Sequence, residues 1–71
     1  MRKFLVIDFY IENVNGKEVK KVADQWICDE KEIIQHAKYY YHNSDVMEEI
    51  DLDNLENAIA FIKRADEVFE M

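Results

Sequence analysis

The first 28 residues contain two runs of apolar positions of the kind that forms β-strands. Residues 3–12 and 18–28 are rich in β-branched and aromatic side chains, and Asn15-Gly16 lies between the two runs. Asn-Gly is the strongest short-range hairpin signal, because a type I′ turn needs positive φ at both central residues. The pattern therefore predicts two antiparallel strands joined by a tight turn.

Both faces of the first predicted strand are apolar, with Asp8 as the exception. Strand alternation gives it two faces: Leu5, Ile7, Phe9 and Ile11 on one, and Phe4, Val6, Asp8 and Tyr10 on the other. Near-continuous apolar runs are typical of strands that are covered on both sides. We therefore expect helices on one face and partial cover on the other.

A helix is predicted directly after the hairpin. Asp29 is a good N-cap residue, and Glu32 three positions later completes a capping box. Apolar residues at helical spacing continue to about His42, and Tyr39 falls on the face that points away from them. We expect Tyr39 to be substantially exposed.

The last part of the chain predicts the longest helix. Asp53 repeats the capping pattern, and helical spacing continues to about Phe69, with Phe61 at the rim of a wide apolar face. Residues 46–50 form an optional short helical turn before it. The sequence thus predicts an α+β fold in a single domain, residues 1–71. Its N-terminal β-hairpin packs against two C-terminal helices, or three if the short turn forms.

Chain length and cysteine content limit the class of protein. A domain of 71 residues is near the lower limit at which a hydrophobic core holds a fold by itself. Cys28 is the only cysteine, which excludes an intramolecular disulfide and favours a reducing compartment. Asp8 ends the N-terminal apolar run after four residues, whereas a signal peptide needs about 7–15 and a membrane helix about 20. We expect a cytoplasmic protein, of a bacterium or of an infected host cell.

The formal charge of −7 is unevenly distributed. Residues 1–22 carry a balance of +2, residues 23–43 of −2 and residues 44–71 of −7. Nucleic-acid phosphates and anionic membranes both require a basic surface, so direct binding to either is disfavoured. The expected partner is a protein that presents a basic surface.

Six carboxylates with no cation among them lie in residues 45–56: Asp45, Glu48, Glu49, Asp51, Asp53 and Glu56. One interpretation is a solvated surface in which some carboxylates complement helix N-termini. The other is a surface that imitates a phosphate backbone and occupies the nucleic-acid-binding cleft of another protein. The sequence leaves both open.

Metal and catalytic chemistry have little support. Cys28, His36 and His42 are the only soft ligands, and their spacing matches no zinc signature. A calcium loop fails because Leu55 takes a ligand position and the required glycine is absent. With a single glycine in the chain there is also no phosphate-binding loop. We therefore predict no metal, no cofactor and no enzymatic activity.

Two binding hypotheses remain. In size, charge and architecture the chain resembles the short acidic α+β proteins that phages encode to disable host enzymes, including CRISPR inhibitors and DNA mimics. The resemblance implies a non-enzymatic inhibitor or modulator that docks on a basic site of a nucleic-acid-handling protein. The six carboxylates would bind the partner, with Tyr39 and Phe61 as apolar anchors. The alternative is a small homodimeric adaptor without charge mimicry, which would use the hairpin edge and the wide face of the last helix.

Overall fold

The chain forms one antiparallel sheet and two helices. The computed structural model describes residues 1–71, and its elements follow the order β1 (Lys3–Val14), β2 (Lys17–Asp29), α1 (Glu30–His42), α2 (Leu55–Ile62) and β3 (Glu67–Glu70). Strand β1 lies in the centre of the sheet, between β2 and β3. The predicted α+β fold, with an N-terminal hairpin against C-terminal helices, is confirmed. Neither helix combines the length and the apolar character needed to cross a membrane.

The hairpin turn has the geometry that its sequence predicts. Asn15 has a φ of 52° and Gly16 a φ of 81°, the two positive values that a type I′ turn requires. The Asn13 side chain adds to the turn by accepting a hydrogen bond from the Gly16 backbone N–H at 3.1 Å. These local interactions fix the register of β1 against β2.

Helix α1 begins with the predicted capping box. Asp29 Oδ1 accepts from the Glu32 backbone N–H at 2.8 Å, and Glu32 Oε1 accepts from the Asp29 backbone N–H at 3.2 Å. The inner side of the helix buries Ile33 and Ala37. Tyr39 is 66% exposed, as expected from its position on the helical wheel.

The prediction that the last helix continues to Phe69 is wrong. Helix α2 ends at Ile62, the chain turns through residues 63–66, and residues 67–70 pair with β1 as a third strand. Val68 is buried opposite Val6, whereas Phe69 opposite Leu5 is 51% exposed. Pairing satisfies backbone groups on the second edge of β1, which would otherwise be left open. This tertiary gain outweighs the helical spacing of the segment.

Two further details of the predicted helices need correction. The N-cap of α2 is Asn54, whose side chain accepts from the Asn57 backbone N–H at 3.1 Å; it is not Asp53. Residues 46–50 form no helical turn. The Ser44 hydroxyl accepts a hydrogen bond from the Val46 backbone N–H at 3.3 Å, but the chain then continues as an irregular loop.

The core lies between one face of the sheet and the two helices. Phe4, Val6, Ile33 and Ile62 are its largest fully buried side chains. Phe61, which the sequence places at the rim of the apolar face of the last helix, is 6% exposed and belongs to the core. With α2 two turns long, Phe61 points toward α1, and its ring lies 5.8 Å from that of Tyr41. We call the face of the sheet that contacts the helices the inner face.

The opposite face of the sheet, which we call the outer face, has no layer of structure over it. The expected partial cover comes from side chains of the sheet and is uneven: Leu5, Ile7 and Phe9 are partly buried, whereas Ile27, Phe69 and Ile11 are each more than half exposed. Residues 10–25 are exposed throughout, because the hairpin projects beyond the helices. We call residues 9–22 the arm. It gives a radius of gyration of 13.6 Å, against about 11 Å for a typical domain of this length.

The observed α2 cap predicts a difference between two neighbouring substitutions. Asn54→Ala removes the side chain that satisfies a free backbone N–H, so we expect it to lower the free energy of unfolding by about 1 kcal/mol. Asp53→Ala removes only an exposed ion pair with Lys38 and should have a smaller effect. Urea unfolding followed by circular dichroism would measure both. A larger loss for Asp53→Ala would contradict the observed cap.

Candidate functional site

The carboxylates that the sequence singled out lie mainly on one irregular segment, residues 45–53, which we call the acidic loop. Its backbone is held by apolar side chains that point inward: Leu52 is buried, and Val46 and Ile50 pack against the core. Two hydrogen bonds fix the loop further. The Tyr41 hydroxyl donates to the Glu48 carbonyl at 2.9 Å, and the Asn57 amide donates to the Asp51 carbonyl at 3.1 Å. The loop is therefore irregular in shape but well supported.

All six predicted carboxylates are exposed, but the fold brings cations to three of them. One ion pair joins Glu48 to Arg64 at 2.6 Å, and the Arg64 hydrogen bond holds the pKa of Glu48 below its ordinary value. The other two pairs join Asp53 to Lys38 and Glu56 to Arg2. These cations come from other parts of the chain, so the loop carries less net negative charge than its sequence suggests.

The three remaining carboxylates have no cation within 4.0 Å: Asp45, Glu49 and Asp51. Asp51 has a local role as well, since its Oδ1 accepts from the Asp53 backbone N–H at 3.2 Å. Asp45 and Glu49 make no side-chain hydrogen bond within the chain. Their negative charge is therefore available to a partner.

A shallow groove of about 330 Å³ opens beside the acidic loop. Glu48, Glu49 and Asp51 line its loop side, while Asn57 and Arg64 lie on the α2 side. A carboxylate-lined groove of this size can accept the end of a lysine or arginine side chain, which donates hydrogen bonds to carboxylate oxygens. Two of its three carboxylates have no cation within the chain.

The two predicted aromatic anchors occupy different environments. Tyr39 lies exposed on α1, and no hydrogen bond links its side chain to the acidic loop. Phe61 is buried under the groove, where the Arg64 guanidinium lies 5.1 Å from the centre of its ring. Phe61 thus supports the groove from below and does not present its ring to a partner.

The structure also assembles a buried polar cluster that the sequence did not predict. Asp66 is 5% exposed and accepts a hydrogen bond from the Tyr40 hydroxyl at 2.8 Å. His36 Nε2 lies 3.9 Å from the same carboxylate oxygen and has no hydrogen-bond partner. The His36 ring is enclosed by Trp26, with ring centroids 5.0 Å apart, and by Tyr40 at 4.3 Å. The sequence signal for this cluster was Asp8, the one acid within the apolar run of residues 4–11.

Burial is the main reason that the pKa of Asp66 lies above its ordinary value of 3.8. A hydrogen bond with the Asp8 carboxyl group raises the pKa of Asp66 further, and so does the negative charge of Asp8. The hydrogen bond from Tyr40 and the electrostatic influence of His36 oppose this rise. None of the grooves in the structure combines Asp66 with His36 or Tyr40 in its lining, so the cluster acts within the fold.

The cysteine and histidine side chains form no catalytic pair. Cys28 is buried, and burial is the main reason that the pKa of its thiol is raised, which makes it a poor nucleophile. The groups that influence this thiol are Trp26, Glu32 and Asp29, with neither histidine among them. The structure contains no group of three or more His, Cys, Asp or Glu side chains arranged to hold a metal ion.

Comparison of the chain with models of known protein families, with curated proteins and with solved structures finds no match. The functional assignment therefore depends on the residues of the chain itself.

The buried cluster makes stability depend on pH. Because folding raises the pKa of Asp66, the protonated group stabilises the fold fully below pH 3.8, and this contribution is lost as pH rises through the folded pKa. Asp66→Asn keeps an acceptor for Tyr40, offers an N–H donor to Asp8 and cannot ionise. We expect the variant to become progressively more stable than the wild type as pH rises, measured as the free energy of unfolding from pH 3.8 upward.

Asp66→Ala is the control for this prediction. It removes the acceptor for the Tyr40 hydroxyl and should destabilise the protein at low pH, where Asp66→Asn does not. A difference between wild type and Asp66→Asn that stays constant with pH would contradict the assignment.

Proposed function

We propose that this chain is a non-enzymatic binding protein that docks the surface around its acidic loop onto a basic site of a nucleic-acid-handling protein, and so inhibits or modulates it. The observation that carries the proposal is the acidic loop itself. Its backbone is held by core contacts and two hydrogen bonds, while Asp45, Glu49 and Asp51 project without a cation. A backbone that is held in place before binding loses little conformational entropy when the partner arrives.

The groove beside the loop gives the surface a place where a single basic side chain of the partner can bind. Glu49 and Asp51 can each accept hydrogen bonds from a lysine or arginine side chain that enters it. The side chains in nucleic-acid-binding clefts that contact phosphate are mainly of these two types. The same side chains would therefore contact either phosphate or this loop, and binding to one would exclude the other.

The ion pairs define the centre of the proposed surface. Glu48, Asp53 and Glu56 are partly neutralised by Arg64, Lys38 and Arg2, so they contribute less to attraction than the unpaired carboxylates. The strongest attraction for a basic partner is expected in the segment from Asp45 to Asp51. Long-range steering would still act, because the whole chain has a net charge of −7. An inhibitor of this design fits the kind of protein that phages use against host enzymes, including CRISPR effectors.

The test compares proteins captured from a native host lysate by wild type and by the double variant Asp45→Lys, Glu49→Lys. Neither side chain has a structural partner, so the variant should fold as the wild type does. We expect wild type to capture a nucleic-acid-binding protein and the double variant to bind it at least about tenfold more weakly. Added DNA and about 1 M salt, where the Debye length is about 3 Å, should both release it.

Single substitutions provide a control of equal charge. Glu49→Lys and Glu18→Lys both replace an exposed glutamate that has no ion pair, but Glu18 lies on the arm. Only Glu49→Lys should weaken capture. Equal losses would show that total charge and not the loop is responsible. Capture that resists salt and DNA, or full binding by the double variant, would refute the proposal.

A further inference from the structure

A second groove lies directly beside the carboxylate-lined groove, and it is apolar. We call the first one the acidic groove and the second one the apolar groove. The apolar groove has a volume of about 360 Å³, close to that of its neighbour. Binding sites in proteins have volumes of about 300–1,000 Å³, so a groove of this size suits one side chain and not a large ligand. The side chains that line the apolar groove are Tyr40, Ser44, Val46, Phe61, Arg64 and Ala65.

The two grooves are joined by residues that they share. Phe61 and Arg64 line both of them. The acidic loop also contributes to both, since Val46 lines the apolar groove while Glu49 and Asp51 line the acidic groove. A partner segment that places a basic side chain in the acidic groove therefore lies beside the apolar groove as well.

The polar groups of the apolar groove are already used within the chain. The Tyr40 hydroxyl donates a hydrogen bond to Asp66 at 2.8 Å. The Ser44 hydroxyl donates to a carbonyl oxygen of α1 at 2.8 Å and accepts from the Val46 backbone N–H at 3.3 Å. A polar side chain that left water for this groove would lose hydrogen bonds that the groove does not replace. The lining therefore selects an apolar side chain.

Charge disfavours an ionic occupant of the apolar groove. Its one charged lining residue is Arg64, whose guanidinium pairs with Glu48 at 2.6 Å and lies 5.1 Å from the centre of the Phe61 ring. A cation in the groove would be repelled by Arg64, and no carboxylate lines the groove to hold it. An anion would compete with Glu48 for Arg64 and would approach a chain of net charge −7.

We propose that the partner presents two neighbouring side chains to this surface: a lysine or arginine that enters the acidic groove, and an apolar side chain that enters the apolar groove. The inference rests on the proposed function, from which it takes the basic side chain. It adds a criterion that distinguishes one basic protein from another. Electrostatic attraction alone would draw many basic surfaces to the acidic loop, whereas an apolar contact at a fixed place beside the cation selects among them.

The test is an NMR titration of the isotope-labelled full chain with four small probes. Two of them are Nα-acetyl-lysine amide and Nα-acetyl-leucine amide. The other two are acetylated tripeptide amides that join lysine and leucine through a central glycine, in either order, because side chains two positions apart point to the same side of an extended chain. We expect the lysine probe to shift the backbone signals of Glu49 and Asp51, and the leucine probe to shift those of Val46 and Ala65. One of the tripeptides should bind at least about tenfold more tightly than either single probe, because its second contact is intramolecular.

Two alanine substitutions separate the apolar contact from charge. Ala65→Glu and Ala23→Glu each add one carboxylate at an exposed alanine, but Ala65 lines the apolar groove, whereas Ala23 lies on β2 and lines neither groove. Attraction by charge alone would make both variants bind the tripeptide at least as well as wild type. We expect Ala65→Glu to remove the shifts caused by the leucine probe and to weaken the tripeptide at least about tenfold, without weakening the lysine probe. Ala23→Glu should bind all probes as wild type does, and circular dichroism would verify that both variants fold.

Three results would overturn the inference: a leucine probe that leaves Val46 and Ala65 unshifted, no gain from linking lysine and leucine in either order, or equal effects of Ala65→Glu and Ala23→Glu. The protein captured in the test of the proposed function keeps the two proposals apart. If Asp45→Lys with Glu49→Lys loses that protein and Ala65→Glu retains it with full affinity, the acidic-loop function stands and only the apolar contact is refuted. If both lose it and Ala23→Glu retains it, both proposals are supported.

Discussion

The structure depends on the inner face of strand β1, where Phe4 and Val6 are almost completely buried. Helices α1 and α2 pack over this face through Ile33 and Ile62, and β3 places Val68 beside Val6. The buried core comprises ten residues, so few contacts oppose the conformational entropy of the unfolded chain. Both edges of β1 in its first half are paired for the same reason: a small core cannot compensate for unpaired backbone groups.

Signals that act over a few residues were sufficient to predict the hairpin and α1. Asn15-Gly16 and the Asp29–Glu32 box specify their own local geometry, so no distant partner is needed to recognise them. Local signals were not sufficient to predict the secondary structure of residues 67–70. Val68 and Phe69 fit a helical face and a strand equally well, and the choice is made by β1, which lies at the other end of the chain. Short-range periodicity contains no information about that pairing.

The candidate site likewise combines features that local sequence predicts with features that only long-range packing determines. Exposure of the carboxylates followed from their density along the chain, but three of them meet cations supplied by Arg2, Lys38 and Arg64. These meetings depend on how the elements pack. The cluster around Asp66 was missed because its members come from β1, α1 and the turn after α2. The single acid within the apolar run of residues 4–11, Asp8, was a clue to the cluster, although it did not identify the other members.

The pairing of β3 with β1 has a consequence for folding during synthesis. Arg2 and Glu70 form a bidentate ion pair although they are 68 positions apart in the chain. While the chain is being made, the hairpin and then α1 can form from local contacts, but β1 keeps an open edge until residues 67–70 have emerged. Contacts of such long range slow folding, and an unpaired strand edge is prone to aggregation in the meantime. The nascent chain therefore has an interval in which a chaperone that shields strand edges would raise the yield of folded protein.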